Sequence, residues 1–158
     1  MGITPQSRDV TLYFDGDVIT IARSKMSGIK KVPLANPQKI KRFAVMWSQL
    51  YRNHRTVPFH LFEDISYVGE GLSDLGFDMD CGESAKEKFP DINASKLPCL
   101  KRILDRIDLR TLGNLIYSNW RYWNHWATSP MTDEDFDWFV VAFERLAELA
   151  RKELNESG

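Results

Sequence analysis

What the sequence lacks leads us to expect neither a membrane-spanning nor a secreted protein. No apolar run reaches the roughly 18 to 20 residues that a membrane span needs, and the first residues, MGITPQSRDV, lack the apolar core of a secretory signal. Cysteine is scarce: Cys81 and Cys99 form no CxxC pair, which favours a reducing compartment over a disulfide framework. We therefore expect a cytoplasmic protein with no membrane partner.

Short motifs of catalysis and cofactor binding are also missing. The sequence contains no HExxH, HxH or CxxC ligand pair and no GxGxxG or GxxxxGK phosphate loop. The stretch DMDCGE surrounds Cys81 with acidic residues, whereas a reactive thiolate needs a positive neighbourhood. The stretch is better explained as a turn whose aspartates accept hydrogen bonds from nearby amides, with Cys81 packed as a small apolar residue. We predict no catalytic residue, no metal site and no cofactor, and we lean against an enzyme.

Acidic residues are absent from one long segment. Between Val18 and Phe62 there is no Asp or Glu, although the segment carries nine lysines and arginines. Residues 63–91 then carry nine acidic residues and residues 132–158 another eight, so the net charge of −1 hides a chain polarised along its length. The basic residues of the first segment are Arg23, Lys25, Lys30, Lys31, Lys39, Lys41, Arg42, Arg52 and Arg55.

The hydrophobic content and the apolar pattern of the sequence predict a single domain over residues 1–158 with an α+β fold. The 43% of hydrophobic residues can bury enough surface to offset the entropy lost on folding. Alternation in VTLYF and VITIA around Asp15-Gly16 predicts an antiparallel β-hairpin over residues 9–23, because Gly supplies the positive φ of a tight turn. This hairpin, as a small sheet, is expected to be packed by about four to five helices over residues 36–155.

The helices are predicted from apolar residues at spacings of three and four. Asn36-Pro37 begins the first helix, Asp108 caps a later one, and Thr132 with Asp135 forms a capping box before the last. The predicted buried stripes are Ile40, Phe43, Ala44, Trp47, Leu50 and Tyr51 in the first helix; Leu109, Leu112, Ile116, Trp120, Trp123 and Ala127 in the penultimate one; and Phe136, Phe139, Val140, Phe143, Leu146, Ala147, Ala150 and Leu154 in the last.

The segment after the first helix is less regular. TVPFHLF, residues 56–62, is expected to be extended and to add an edge strand to the hairpin, because Pro58 has no backbone donor and disfavours helix before it. The apolar spacing that follows predicts a short helix. Gly69 and Gly71 weaken this helix by about 1 kcal/mol each, and Gly76 ends it.

The stretch YSNWRYWNHWA, residues 117–127, divides into two sides on a helical projection. Trp120 and Trp123 extend the apolar stripe and are expected in the core. Arg121 and His125, four residues apart, face another side and are within reach of each other. They predict either a clamp for a phosphate, a carboxylate or an acidic partner, or an arginine paired with a neighbouring helix beside a histidine near a helix C-terminus. Both alternatives stay open.

The basic segment, residues 23–55, is a second candidate site. Its cations could contact nucleic-acid phosphates, with Tyr51 and His54 available to stack on bases. Alternatively, the segment docks on acidic helices of the same chain or of a second copy. The candidate binding residues of this segment are Lys30, Lys31, Lys39, Lys41 and Arg42.

Two stretches, LGNLIYSNWRYWNHWA and DWFVVAFERLAELA, resemble small uncharacterised proteins of bacterial genomes and mobile elements that share a YSxWRYxxHWA segment; HLFEDISYVGEGLSDLGFDMDCGE is similar to the same group. The resemblance covers residues 59–150 and implies no activity, cofactor or catalytic residue. It implies a source in a mobile element or phage, whose small proteins often act by binding, as anti-CRISPR inhibitors of host defence nucleases do.

The leading hypothesis is a non-enzymatic interaction or inhibitory protein that binds a protein or nucleoprotein partner through a charged face and could act as a homodimer. One alternative is direct nucleic-acid binding through residues 23–55. The other is a small enzyme that acts on an anionic substrate with Arg121, His125 and a carboxylate of the DMDCGE turn. The enzyme requires that Arg121, His125 and Asp78 or Asp80 meet in one pocket.

Overall fold

Helices are the main secondary structure of the described residues from 33 to 157. The structure, a computed structural model, describes residues 9–14, 17–22 and 33–157, and the chain divides into two units, residues 1–32 and 33–158. The described part of the second unit holds seven α-helices and one π-helical turn. The helices are α1 (Pro37–Arg52), α2 (His60–Glu63), α3 (Gly69–Asp74), α4 (Glu83–Lys88), α5 (Leu97–Ile103), α6 (Leu109–Arg121) and α7 (Asp133–Ser157), and the π-helical turn is Tyr122–Trp126.

The described residues of the first unit form two strands. β1 (Asp9–Phe14) pairs antiparallel with β2 (Asp17–Ala22) and forms a two-stranded ribbon. The register places Asp9 opposite Ala22. The turn residues Asp15 and Gly16, and the predicted end of the hairpin at Arg23, lie outside the described residues.

The predicted α+β fold is wrong. The unit that holds the hydrophobic core has no strand among residues 33–157, and its core forms between helices. The segment expected to be extended, residues 56–62, contains a helical turn instead, since Leu61 N donates to Pro58 O at 3.1 Å. A two-stranded ribbon offers too little apolar surface to organise a core, whereas the helices bury large aromatic residues against one another. The prediction of a single domain over residues 1–158 stays a prediction.

The predicted helix caps are confirmed. Asn36 caps α1, since its Oδ1 accepts from Gln38 N at 2.8 Å, and proline occupies the first turn. Asp108 caps α6. Before α7, Thr132 N donates to Asp135 Oδ2 at 2.8 Å, and Asp135 N donates to Thr132 Oγ1 at 3.3 Å, which is a capping box with aspartate in place of the usual glutamate.

An aromatic cluster joins α1 to α7, which pack along each other at the centre of the helical unit. The Tyr51 ring stacks on Phe139 with 4.6 Å between the ring centroids, and Phe62 of α2 lies 4.7 Å from Tyr51. Each such ring pair stabilises the fold by about 0.5 to 1.5 kcal/mol beyond its buried area. The buried members of the stripes predicted for these two helices are Ile40, Ala44, Trp47, Tyr51, Phe136, Phe139, Val140, Phe143, Leu146 and Ala150.

Two glycines let neighbouring elements approach closely. A Cβ built on Gly113, in the middle of α6, would lie 2.0 Å from the Phe77 ring. A Cβ on Gly69 of α3 would lie 2.6 Å from the Trp120 ring. From the sequence, Gly69 was expected only to weaken a helix. In the structure, its missing side chain makes room for a buried tryptophan.

The end of α6 changes the direction of its side chains. The α-helix ends at Arg121, and the chain continues as the π-helical turn, closed by a hydrogen bond from Ala127 N to Tyr122 O at 2.9 Å. Because a π-helix has more residues per turn, side chains beyond Arg121 no longer follow the α-helical projection. This change decides where His125 lies.

Candidate functional site

A cavity of about 440 Å³ lies where the end of α1, α2, the π-helical turn and α7 meet. Its walls are mostly aromatic and aliphatic, with few polar groups, as is typical of small-molecule sites. The apolar residues that line it are Phe59, Phe62, Ile65, Trp120, Trp123, Pro130, Met131 and Phe139. The polar ones are Tyr51, Glu63, Asn124, His125 and Ser129.

The aromatic stretch singled out in the sequence forms one wall of this cavity. Trp120 Nε1 donates to Phe62 O at 2.9 Å, which fixes α2 against α6. Asn124 Nδ2 donates to Trp120 O at 3.0 Å, and the π-helical turn carries Trp123 and His125 along the same wall. Trp120 is buried as predicted, whereas Trp123 is half-buried and lines the cavity.

Tyr51 is the most deeply buried polar residue of the cavity. Its side chain is 1% exposed, and no hydrogen bond to its hydroxyl is found among the described residues. Tyr51 is nevertheless one of the residues that line the cavity. Burial raises the pKa of this phenol far above its usual value, so it stays a hydrogen-bond donor at neutral pH.

Arg121 and His125, four residues apart, differ in their relation to the cavity. His125 is exposed and lines the cavity, whereas Arg121 is not among the lining residues. Arg121 lies beside Tyr117: burial raises the pKa of Tyr117, and the charge of Arg121 opposes that rise. The charge of Glu70 in α3 acts on the same phenol and raises its pKa. Whether Arg121 and His125 act as a pair stays a prediction.

The DMDCGE turn is a structural link to α6. Asp80 accepts hydrogen bonds from Gly82 N at 3.0 Å and from Ser118 Oγ at 3.3 Å, and Asn114 Nδ2 lies 3.5 Å from it. The predicted turn with aspartate bonded to nearby amides is therefore confirmed. The predicted packing of Cys81 is wrong, because Cys81 is exposed. Asp80 is engaged with α6, and Asp78, Asp80 and Arg121 are not among the residues that line the cavity beside His125. The enzyme alternative stays a prediction.

A second surface is the solvent-facing side of α1, which we call the α1 outer face: Lys39, Arg42, Val45 and Met46. Val45 is 41% exposed and Met46 is 50% exposed. Lys39 and Arg42 are exposed, and neither forms an ion pair within the described residues. Helical spacing puts the four residues on one side of α1, with the two cations followed along the helix by the two exposed aliphatic side chains. Lys41 is half-buried beside this face.

The other end of the basic segment is neutralised within the chain. Arg52 pairs with Glu144 of α7, and Arg55 pairs with Asp133 at the start of α7. His54 Nε2 lies 3.1 Å from the Asp133 carboxylate. The alternative in which the basic segment docks on acidic helices of the same chain therefore applies to this end of the segment. It does not apply to the α1 outer face. Lys30 and Lys31 lie outside the described residues.

The predicted base-stacking residues are not available. Tyr51 is enclosed by core rings, and His54 stacks on Phe136 at 3.9 Å between centroids with an interplanar angle of 7°. Both rings pack inside the fold. A nucleic acid that met this segment would find cations but neither of the rings predicted to stack on its bases.

Comparisons with protein-family models, curated proteins and solved structures find no match to this chain. The resemblance to proteins of bacterial mobile elements therefore stays a prediction. Within the described ranges, no cluster of three or more His, Cys, Asp and Glu could hold a metal ion. Among the same residues, no helix has the length and apolar character needed to cross a membrane.

Proposed function

We propose that this protein acts by binding a protein partner through the α1 outer face. One observation carries the proposal: Val45 and Met46 are exposed side by side, and Lys39 and Arg42 beside them lack any internal ion pair. Protein interfaces combine an apolar centre enriched in methionine with a polar rim. The α1 outer face has this composition.

The exposed aliphatic residues favour a protein over a nucleic acid. Phosphate binding requires cations and gains little from aliphatic side chains, and protein–nucleic acid interfaces are more polar than protein–protein ones. Val45 and Met46 are exposed on the same helix as these cations, and the rings of Tyr51 and His54 are engaged elsewhere. Direct nucleic-acid binding is therefore the alternative that an experiment must distinguish from protein binding.

Charge defines the chemistry of the partner. The sequence has no acidic residue from Val18 to Phe62, so no carboxylate of α1 itself offsets Lys39 and Arg42. A surface of this kind is complementary to an acidic surface with apolar side chains at its centre, and the charges favour fast and specific association. The partner is therefore an acidic protein with an exposed apolar patch.

The test is affinity capture from a lysate of the producing cells, with and without nuclease treatment. The variant is Arg42→Glu combined with Met46→Asp, which reverses one charge and removes one apolar contact while leaving the buried side of α1 intact. We expect at least about a tenfold loss of the captured protein, because central interface residues contribute about 2 kcal/mol or more each. Capture should also weaken as salt rises from about 0.1 to 0.5 M.

The matched control is Arg151→Glu, which reverses an exposed charge on α7. This control should capture the same protein as the wild type. Equal capture by wild type and the α1 variant would contradict the proposal. Capture that disappears when nucleic acid is digested would also contradict it and would favour nucleic-acid binding instead.

A further inference from the structure

The aromatic cavity has the size and lining of a ligand site. Its volume of about 440 Å³ lies in the range of small-molecule pockets. Rings of Phe59, Phe62, Trp120 and Trp123 form much of its wall. Aromatic side chains hold planar rings by offset stacking and edge-to-face contact, so the wall favours a planar aromatic ligand over a branched aliphatic one.

The deepest polar group of the cavity lacks a partner. The Tyr51 side chain is 1% exposed, and its hydroxyl makes no hydrogen bond within the described residues. Buried polar groups in folded proteins are normally hydrogen-bonded, so this hydroxyl is an unused donor on a residue that lines the cavity. A ligand that reaches it must offer an acceptor, such as a carbonyl oxygen.

The charge of the cavity restricts the ligand further. No lysine or arginine is found among its described lining residues, and Glu63 and His125, which also line it, are both exposed. An anionic ligand inside the cavity would therefore lose hydration without a buried cation to pair with. A quaternary ammonium could contact the aromatic wall, but it has no acceptor for the Tyr51 hydroxyl.

We propose that the cavity binds an uncharged planar aromatic molecule whose carbonyl oxygen accepts a hydrogen bond from Tyr51. The π-helical turn is consistent with a binding role for this location, because such turns are frequently found at functional sites. The ligand lies between α2 and the π-helical turn and stacks on Trp123. This site is separate from the α1 outer face, so either proposal can fail without the other.

The test uses four probes of related shape: 1-indanone, which carries the carbonyl; indane, which lacks it; benzoate; and phenyltrimethylammonium. Binding is followed by NMR titration of the indole N–H signals of Trp120 and Trp123. We expect 1-indanone to shift these signals and to bind about tenfold more tightly than indane, because one buried hydrogen bond distinguishes the two. Benzoate and phenyltrimethylammonium should bind more weakly than 1-indanone.

The diagnostic variant is Tyr51→Phe, which keeps the stacked ring and removes only the hydroxyl. We expect it to fold normally, to lose about tenfold affinity for 1-indanone and to leave indane binding unchanged. Tyr67→Phe, at an exposed tyrosine away from the cavity, should change neither affinity. The proposal is overturned if no probe shifts the indole signals, if Tyr51→Phe leaves 1-indanone binding intact, or if either charged probe binds more tightly than 1-indanone.

Discussion

Three buried tryptophans differ in whether the indole N–H group donates a hydrogen bond. Trp120 Nε1 donates to Phe62 O at 2.9 Å, and Trp138 Nε1 donates to Ala94 O at 2.8 Å. Trp47 Nε1 is buried and has no partner within the described residues. An unpaired buried donor costs about 1 to 3 kcal/mol, so Trp47 stabilises the fold less than its buried area suggests.

Replacing each tryptophan by phenylalanine should separate these contributions. All three variants lose buried area, but Trp120→Phe and Trp138→Phe also leave a backbone carbonyl without its donor. Trp47→Phe instead removes an unpaired N–H, so we expect its loss of unfolding free energy to be smaller by about 1 to 3 kcal/mol. Urea denaturation of the three variants measures the difference. An equal or larger loss at Trp47 would show that the hydrogen bonds do not decide the order.

The burial of individual tryptophans could be predicted from the sequence. Whether their indole N–H groups find a hydrogen-bond acceptor could not. Spacings of three and four placed Trp47 and Trp120 in the core because helical periodicity is a local property of the chain. Whether an indole meets a carbonyl depends on residues far away, since Phe62 is 58 positions from Trp120. The exposure of Val45 and Met46 did have a local signal, because both fall outside the predicted buried stripe of α1.

At the scale of elements, close packing between α6 and the segment after α3 depends on Gly113. Gly113→Ala would raise the helix propensity of α6 by about 1 kcal/mol. The new methyl group would, however, meet the Phe77 ring at 2.0 Å, and overpacking of this kind costs about 1 to 3 kcal/mol or more. We therefore expect Gly113→Ala to destabilise the protein, contrary to its helix propensity.

A double-mutant cycle with Phe77→Ala gives the matched control. With the ring removed, the alanine at position 113 has space, and the substitution should become neutral or stabilising. Thermal or urea unfolding of the two single variants and the double variant measures the coupling free energy. If Gly113→Ala costs the same with and without the Phe77 ring, the clash is not its cause.

Long helices were predictable because their apolar stripes repeat over several turns. The stripes of α1 and α7 and the caps at Asn36 and Thr132 follow from local sequence. The helical turn α2 and the π-helical turn were missed, because short elements are held by tertiary contacts such as the bond from Trp120 to Phe62. The cavity could not be predicted either, since it exists only where several elements meet.

At the scale of the whole molecule, the charge polarity of the sequence is partly used within the fold. Asp133 receives hydrogen bonds from Arg55 and from His54, and these hold the pKa of its carboxyl below the usual range. Burial would raise the pKa of Asp108, but bonds from Thr111 and Lys88 together outweigh it and keep that pKa low. Acidic residues of the second half thus bind basic residues that precede them.

These lowered pKa values predict acid sensitivity. A carboxyl whose pKa is lower in the folded than in the unfolded state stabilises the fold above its unfolded value of about 3.9. That contribution is lost as the pH falls through the lower, folded pKa. We therefore expect the unfolding free energy to decrease below about pH 4. Denaturation by urea at pH 7, 4 and 3 measures the decrease.

Asp133→Asn should make this decrease shallower, because it removes one of the titrating groups that the fold stabilises. Asp137→Asn is the matched control, since Asp137 is exposed and forms no ion pair within the described chain. It should leave the pH dependence unchanged. A wild-type stability that does not change between pH 7 and pH 3 would contradict the expected role of these carboxylates.

The central claim is that the α1 outer face binds an acidic protein. The most direct measurement places a photo-crosslinking amino acid at Val45, within this face, and in a second variant at Glu153, exposed on α7. After irradiation in the producing cells, the account predicts one protein crosslinked from position 45 that is absent from position 153 and lost with Arg42→Glu. Nucleic acid crosslinked at position 45, or no product specific to that position, would contradict the account.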